Sequence, residues 1–307
     1  MSDSKRSVIN PYRQPLGDKL WRNFVIGVPY FWLLLFFLAP FAIVLKISFA
    51  TPIVALPPFT PLLDFSANAS HWLLATWDNY RFLTEDNLYW VSYFKSIKIA
   101  AISTFICLLI GYPMAYGIAR ATPTTRNILL MLVILPFWTS FLLRVYAWMG
   151  LLGKNGIVNS LLMNIGLIDA PLQMLYTDMA VYVGIVYTYI PFMILPLYAT
   201  LEKMDTSLHD AAADLGAKPW QTFIDVTLPL SMPGIIAGSL LVFIPAIGEY
   251  VIPALLGGID SLMIGRTLYD EFFVNRDWPL ASAVATLLLI IVVIPIMLFQ
   301  RSQQEQE

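Results

Sequence analysis

Six long apolar stretches constrain the fold of this 307-residue chain more than any other feature. Each is 20 to 26 residues long, which matches the ~20 apolar residues that a helix needs to cross ~30 Å of hydrocarbon. Only 12% of the residues are charged, too few to cover a soluble globule with polar surface. The sequence therefore predicts an all-α integral membrane protein with six transmembrane helices. They occupy residues 24–45, 99–119, 127–152, 179–201, 231–253 and 280–299.

Positive charges are distributed unevenly between the two sets of loops. An even number of spans puts both termini on one side of the membrane, and the positive-inside rule assigns that side. With the N-terminus inside, the inner segments hold ten Lys and Arg in 67 residues, whereas the outer loops hold seven in 105. The basic tail before the first span carries the most weight, and no small-residue cleavage site follows that span. We therefore predict an uncleaved first span and cytoplasmic termini.

This orientation divides the chain into parts. The outer loop 46–98 is rich in Pro and aromatic residues, and we expect it to be ordered because disordered segments lack aromatics. A second outer loop, 254–279, is either a solvated loop or a docking surface, and its mixed charges leave both possibilities open. The predicted parts are a cytoplasmic tail at 1–23, a transmembrane domain at 24–299, a periplasmic loop at 46–98, a cytoplasmic loop at 202–230 and a cytoplasmic tail at 300–307.

Several functional classes are excluded by what the sequence does not contain. The net charge of −2 gives no basic field for nucleic acid, and no Gly-x-x-x-x-Gly-Lys-[Ser/Thr] motif is present to bind a nucleotide. His71 and His209 lie in different polar segments without other metal ligands near them, and Cys107 is the sole cysteine. No span pairs a nucleophile with a histidine base. We therefore expect no catalytic residue, no metal and no cofactor bound by this chain.

The cytoplasmic loop 202–230 is much longer than a turn between two spans requires. Its first half, "SLHDAAADLG", predicts a short helix. Ser207 is expected to cap it, with Asp210 completing a capping box at the favourable end of the helix dipole. The alanines favour a helix, and Gly216 stands where a helix usually ends. The small alanine face would let another backbone approach closely.

The second half of the loop, "KPWQTFIDVTLPL", predicts a second short helix. Pro219 suits its first turn. Pro229 and Pro233 are expected to end this helix and to restart the chain into the fifth span. The loop is thus predicted to be a helical hairpin on the inner face of the membrane. One face of its second helix is expected to hold Trp220, Phe223, Ile224 and Thr227.

The spacing within this loop resembles the EAA loop of ABC-importer permeases. The matching elements are Asp210-Ala211-Ala212, then Gly216 after three intervening residues, Val226 after nine more, and Leu228-Pro229 after one more. The chain departs from the family by Asp for Glu at 210 and Val for Ile at 226, and both changes keep charge and shape. The alternative is an amphipathic loop lying on lipid. The resemblance implies contact with an ATPase through Asp210, Ala211, Ala212, Leu215, Gly216 and Trp220.

Further segments along the chain resemble the permeases of polyamine importers, most of all those for putrescine. Among them are "RNILLMLVILPFWTSFLLRVYAWMG" and "LVFIPAIGEYVIPALLGG". The resemblance implies a bacterial inner-membrane protein that forms a heterodimer with a second homologous permease. It also implies a cytoplasmic ATPase dimer, which binds the ATP, and a periplasmic binding protein that delivers the polyamine. The substrate rests on the resemblance alone.

Two ionisable residues lie well within the predicted spans, Arg144 in the third and Glu249 in the fifth. Each is costly in lipid, so each should face protein or a water-filled path. In the predicted orientation they lie about 6 Å apart in depth, at 1.5 Å of rise per residue. They form either a structural ion pair or part of a substrate path in which Glu249 meets the passing cation.

The surroundings of Glu249 favour a path. Pro245, Gly248 and Pro253 are expected to bend or unwind its helix, which membrane proteins tolerate where backbone lines a cavity. Aromatic faces bind ammonium groups well, although aromatic belts are common at any membrane surface. The aromatic residues expected at comparable depth are Tyr146, Trp148, Tyr182, Tyr187 and Tyr189.

Three functions compete for a chain with these features. The first is the permease subunit of an ABC importer, for putrescine, a related polyamine or another small solute. The second is a stand-alone secondary transporter or channel, which would need a coupling-ion site although the spans offer one carboxylate. The third is a membrane-embedded enzyme, but no predicted span of this chain pairs a nucleophile with a histidine base. Dependence of transport on an ATPase separates the first from the second.

Overall fold

A computed structural model describes residues 16–61, 75–259 and 261–304. Apart from one isolated β-bridge between Pro52 and Phe59, the regular structure of these residues is helical. The all-α prediction is therefore confirmed for the described part of the chain. Most of the N-terminal tail, the middle of the 46–98 loop with His71, and the last three residues lie outside it.

The chain begins with one long apolar helical rod. Helix α1 (Leu16–Leu33) continues through a π-helical turn (Leu34–Leu38) into α2 (Ala39–Ile47). The rest of this chain buries none of the most apolar part of Trp21–Ile47, although α2 packs against the last described helix, α14 (Trp278–Gln304). The first predicted span lies within this rod.

Three helices form the core: α4 (Asn87–Arg120), α8 (Asp178–Glu202) and α11 (Leu228–Ile247). The short α3 (Asp78–Glu85) precedes them on one side. Small residues let these helices approach closely, as is usual for helix packing in membranes. A Cβ added to Gly238 of α11 would lie 2.8 Å from the Met193 sulfur and 3.1 Å from the Met193 carbonyl oxygen, so the Met193 side chain would have to move and the backbone of α8 would have to shift slightly.

The third predicted span is not one continuous helix. It consists of α5 (Pro123–Ile134), a 3₁₀ turn (Leu135–Trp138) and α6 (Phe141–Leu152), which α7 (Ile157–Asn164) follows. The two halves meet at an angle of 91°. The break follows from Pro136, which has no N–H to donate, and from the extended backbone of Thr139 and Ser140.

The remaining helices surround the core. After α9 (Ser207–Asp214), α10 (Pro219–Thr222) continues through a π-helical turn into α11. The chain breaks after α11, as predicted, and resumes with three further helices. These are α12 (Val251–Leu255), α13 (Ile264–Tyr269) with a π-helical turn at Asp270–Val274, and α14 (Trp278–Gln304).

Among the described residues, four helices are long and apolar enough to cross a membrane, or five if the bent pair counts as one span. A shorter apolar helix, Trp278–Ile294, coincides with the last predicted span. The multi-span architecture agrees with the sequence. The count of six and the cytoplasmic position of the termini stay predictions.

Candidate functional site

The first helix of the predicted hairpin ends as the sequence predicts. Gly216 has φ +83°, in the left-handed region that favours glycine. Its N–H donates to the Ala213 carbonyl at 2.9 Å, and the Ala217 N–H donates to the Ala212 carbonyl at 3.0 Å. This pair of bonds is a Schellman motif, which satisfies the last carbonyl groups of α9 without help from another segment.

The start of α9 differs from the prediction. Ser207 is the first residue of the helix and does not cap it. Its backbone N–H instead donates to the carboxylate of Asp205 at 2.9 Å. Hydrogen bonds from the Ser207 backbone and side chain lower the pKa of the Asp205 carboxyl. The capping box with Asp210 is therefore wrong, because an acidic residue two positions earlier takes the N–H group.

The residues expected to meet an ATPase are accessible. Leu215 is 89% exposed and Trp220 is 60% exposed, so both offer apolar surface that the rest of this chain does not cover. Asp210, Ala211 and Gly216 are also exposed, and Ala212 is half-buried. The hairpin thus presents small and apolar groups together on a surface that the rest of this chain leaves uncovered.

The second helix of the hairpin does not end at Pro229 or Pro233, contrary to the prediction. Helical structure is continuous over Pro219–Ile247 because a π-helical turn at Phe223–Thr227 precedes Pro229. This wider turn accommodates the proline ring that would clash in a regular α-helix. The hairpin is therefore directly continuous with a core helix.

The π-helical turn also divides the predicted aromatic face. Trp220, Phe223 and Ile224 are exposed, but Thr227 is only 1% exposed. The Phe223 ring packs edge-on against Tyr112 of α4, with 5.6 Å between centroids. Thr227 points inward because the extra residue in the turn shifts it away from the other three positions.

Glu249 is buried at the break between α11 and α12, with 8% of its surface exposed. One carboxylate oxygen, Oε1, accepts backbone N–H groups from Tyr250, Val251 and Ile252 at 3.2, 3.1 and 3.4 Å. The other accepts the hydroxyl of Tyr189 in α8 at 2.5 Å. Because the first N–H groups of a helix have no partner within it, the carboxylate closes the break and caps α12.

Arg144 does not pair with Glu249. Its guanidinium carbon lies 5.3 Å from the ring centroid of Phe137 and 5.8 Å from that of Phe141, so cation–π contacts hold it. Its Nε and Nη1 atoms are buried and have no hydrogen-bond partner among the described residues. The structure therefore does not contain the predicted structural ion pair: the Glu249 carboxylate contacts Tyr189 and three backbone N–H groups, while the Arg144 guanidinium lies over two aromatic rings.

The five aromatic candidates do not share one environment, and Tyr182 is half-buried on α8. Trp148 of α6 and Tyr187 of α8 pack edge-on with 5.4 Å between ring centroids. Tyr146 is 55% exposed on α6. Tyr189, which the sequence ranks no higher than its neighbours, is the one that reaches Glu249. Its position 60 residues away in the chain gives no local signal for this bond.

The chain matches one protein-family model, described as "Binding-protein-dependent transport system inner membrane component", over residues 108–304. It is 39% identical over 284 residues to the spermidine/putrescine transport system permease protein PotB of Haemophilus influenzae, covering 92% of this chain and 94% of that one. PotB of Escherichia coli K12 is 41% identical over 232 residues, covering 76% and 84%.

The fold is similar to that of a chain in the crystal structure of a bacterial alginate ABC transporter in complex with alginate pentasaccharide-bound periplasmic protein. The TM-score is 0.64 at 18% identity, covering 93% of this chain and 96% of that chain. At this identity the likeness concerns the fold alone.

Proposed function

Because this chain belongs to the family of binding-protein-dependent transport system inner membrane components, we propose that it carries putrescine or a related polyamine from the periplasm to the cytoplasm. It is the multi-pass permease subunit of an ABC importer in the inner membrane, and it is not an enzyme. The proposed substrate is supported by the 39% identity to a spermidine/putrescine permease over 92% of this chain. Spermidine is therefore among the polyamines to be tested.

The hairpin α9–α10 is the proposed contact with the ATPase. Leu215 and Trp220 supply exposed apolar surface, and Asp210, Ala211 and Gly216 lie on the same short segment. The continuous helix Pro219–Ile247 supports this role, because a rigid helix carries a displacement of the hairpin into the core without loss at a flexible joint.

The break at Glu249 is the proposed place where the cation passes. A dicationic amine that leaves water loses the hydration of both ammonium groups, at a cost of several kcal/mol unless acceptors replace it. The Glu249 carboxylate is such an acceptor, and Tyr146, Trp148 and Tyr187 offer aromatic faces on α6 and α8. Arg144, held over two rings, would repel a cation and set its position in the path.

The exposed N-terminal rod supports a second homologous permease as partner. Trp21–Ile47 carries large apolar side chains on all sides, and its most apolar window is 0% buried within this chain. Lipid covers part of such a helix, and a heterodimer would cover the rest. A cytoplasmic ATPase dimer and a periplasmic polyamine-binding protein complete the proposed complex.

Reconstitution tests this function. The permease in proteoliposomes, alone and then with the second permease, the ATPase and the binding protein, should be assayed for uptake of putrescine, spermidine and a neutral solute of similar size. We expect polyamine uptake only from the complete, ATP-supplied complex. Uptake by the permease alone would favour a secondary transporter, and uptake of the neutral solute in place of polyamines would show a different substrate.

A further inference from the structure

His209 of α9 lies half-buried between two other elements of the chain. The Nη2 atom of Arg120, the last residue of α4, lies 3.4 Å from its Nδ1 and 3.1 Å from its Nε2. The Nε2 atom also lies 3.0 Å from the hydroxyl oxygen of Thr227 in the π-helical turn before α11. One imidazole ring therefore joins α9 to the end of α4 and to the π-helical turn that leads into α11.

The proton requirements of this cluster are met by a neutral imidazole. A neutral ring has one donor and one acceptor nitrogen. With the proton on Nδ1, Nε2 accepts from Arg120 across the shorter distance of 3.1 Å. With the proton on Nε2, the ring donates to Thr227, and Nδ1 accepts from Arg120 at 3.4 Å. Thr227 can then donate to the Thr222 carbonyl, 3.5 Å away. The Arg120 guanidinium also lies 5.4 Å from the Tyr116 ring centroid, which helps to fix its position.

The position of this link matters because α9 is otherwise lightly attached. The helix has eight residues, none of them buried, and its C-terminal end is closed by its own backbone. A displacement of α9 would reach α11 through the chain, but it can reach the end of α4 only across space. The imidazole provides that route.

We propose that His209 is a positioning residue that holds α9 against the ends of α4 and α11, so that a displacement of the hairpin moves both core helices together. This inference rests on the proposed docking of the hairpin to an ATPase. The His209 side chain would then link the docking surface on α9 to α4, a helix that does not follow α9 in the chain.

Substitution of His209 in the complete complex tests the link. His209→Ala removes the hydrogen bonds to Arg120 and Thr227, and Arg120 is a charged donor. Loss of a hydrogen bond to a charged group changes an equilibrium constant by about tenfold. For His209→Ala we expect assembly and ATP hydrolysis to persist, while polyamine uptake per ATP hydrolysed falls by about tenfold. For His209→Gln we expect most of the coupling to return, because the amide has both a donor and an acceptor.

Two further variants make the test specific. Thr227→Val keeps the shape but removes the hydroxyl, and we expect a smaller loss of coupling. In the double variant His209→Ala with Thr227→Val, uptake per ATP hydrolysed should fall by less than the product of the two single effects, because both substitutions remove the same hydrogen bond. Glu202→Gln is the matched control, since Glu202 pairs with Arg126 of α5 and takes no part in the hydrogen bonds of His209. It should leave uptake per ATP unchanged.

Wild-type coupling in His209→Ala would overturn the proposal, as would a Gln variant that assembles but couples no better than the Ala variant. If His209→Ala does not assemble, Thr227→Val and His209→Gln decide. Independent losses in the double variant would also contradict the link.

A distance measurement separates this proposal from the proposed function. Spin labels on Ala213→Cys and Thr124→Cys, both exposed, report the distance between α9 and the start of α5, directly after α4. The natural Cys107 is buried and should not react. We expect the distance distribution to broaden in His209→Ala and to narrow again in His209→Gln. An unchanged distribution would contradict the link even if the substrate proves not to be a polyamine.

Discussion

Two helix ends in this chain are built differently: the turn at Gly216, which follows α9, and the break at Gly248–Tyr250, which follows α11. The turn is exposed and its backbone satisfies its own hydrogen bonds, so its side chains remain available to a partner. The break is buried, and its N–H groups depend on the carboxylate of Glu249. The exposed turn suits docking, whereas the buried break brings a negative charge into the interior.

A single helical segment connects the two places. Pro219–Ile247 begins three residues after Gly216 and ends two residues before Glu249. The difference between the two sites therefore yields separate expectations for variants. Changes at the break should affect stability and substrate passage, while changes at the turn should affect the relation between ATP hydrolysis and uptake.

The largest effect is expected at the break, from Glu249→Ala. Alanine leaves the N–H groups of Tyr250, Val251 and Ile252 without their acceptor, at a cost of about 1–3 kcal/mol for an unsatisfied group. Thermal unfolding of the purified complex should occur at a clearly lower temperature, with reduced assembly. Glu249→Gln is the matched control, because its amide oxygen still accepts and its NH₂ can donate to the Tyr189 oxygen. Equal stability of the two variants would show that the cap contributes nothing.

A smaller effect is expected at the turn, from Gly216→Val. An added Cβ would meet no atom within 4 Å, so the cost comes from the backbone at φ +83°. That cost is about 1–2 kcal/mol for a residue with a side chain in the left-handed region. We expect uptake per ATP hydrolysed to fall in an assembled complex.

The control for the turn is Gly216→Asn, because asparagine adopts positive φ more readily. It should couple better than the Val variant. Normal transport by an assembled Gly216→Val complex would argue against the docking role of the hairpin.

The smallest disturbance comes from single cysteines that report topology. Cysteine at exposed Lys218 should react with membrane-impermeant thiol reagents only from the cytoplasmic side, and cysteine at Val54 only from outside. Asn68, another residue of the predicted outer loop, lies outside the described residues. The reverse pattern would overturn the predicted orientation and with it the assignment of the hairpin to a cytoplasmic partner.

The sequence predicts helices well where apolar runs and glycine dominate. The end of α9 at Gly216 and the break near Glu249 follow from residues whose backbone preferences are local. The continuous helix through Pro229 was missed because the π-helical turn that accommodates the ring has no simple sequence pattern. The 91° bend at Thr139 was missed because Pro136 lies in an otherwise apolar run.

Side-chain partners were harder to predict than helices. Glu249 and Arg144 lie at similar depth in the predicted spans, which made an ion pair plausible. Which group reaches the carboxylate depends on how α8 packs against α11, and that packing brings Tyr189 to it. For His209 the sequence predicts only that it binds no metal, and its partners Arg120 and Thr227 give no local signal because they are distant in sequence.

The most direct test of this account is to measure ATP hydrolysis and polyamine uptake in the same proteoliposomes for Glu249→Gln. Because Arg144 is not bonded to Glu249, the single change removes the charge without breaking an ion pair. We expect ATP hydrolysis to respond normally to the loaded binding protein, since the hairpin is intact, while uptake is largely lost. The combined variant with Arg144→Gln should not restore it. Wild-type uptake by Glu249→Gln would contradict the claim that this carboxylate meets the passing cation.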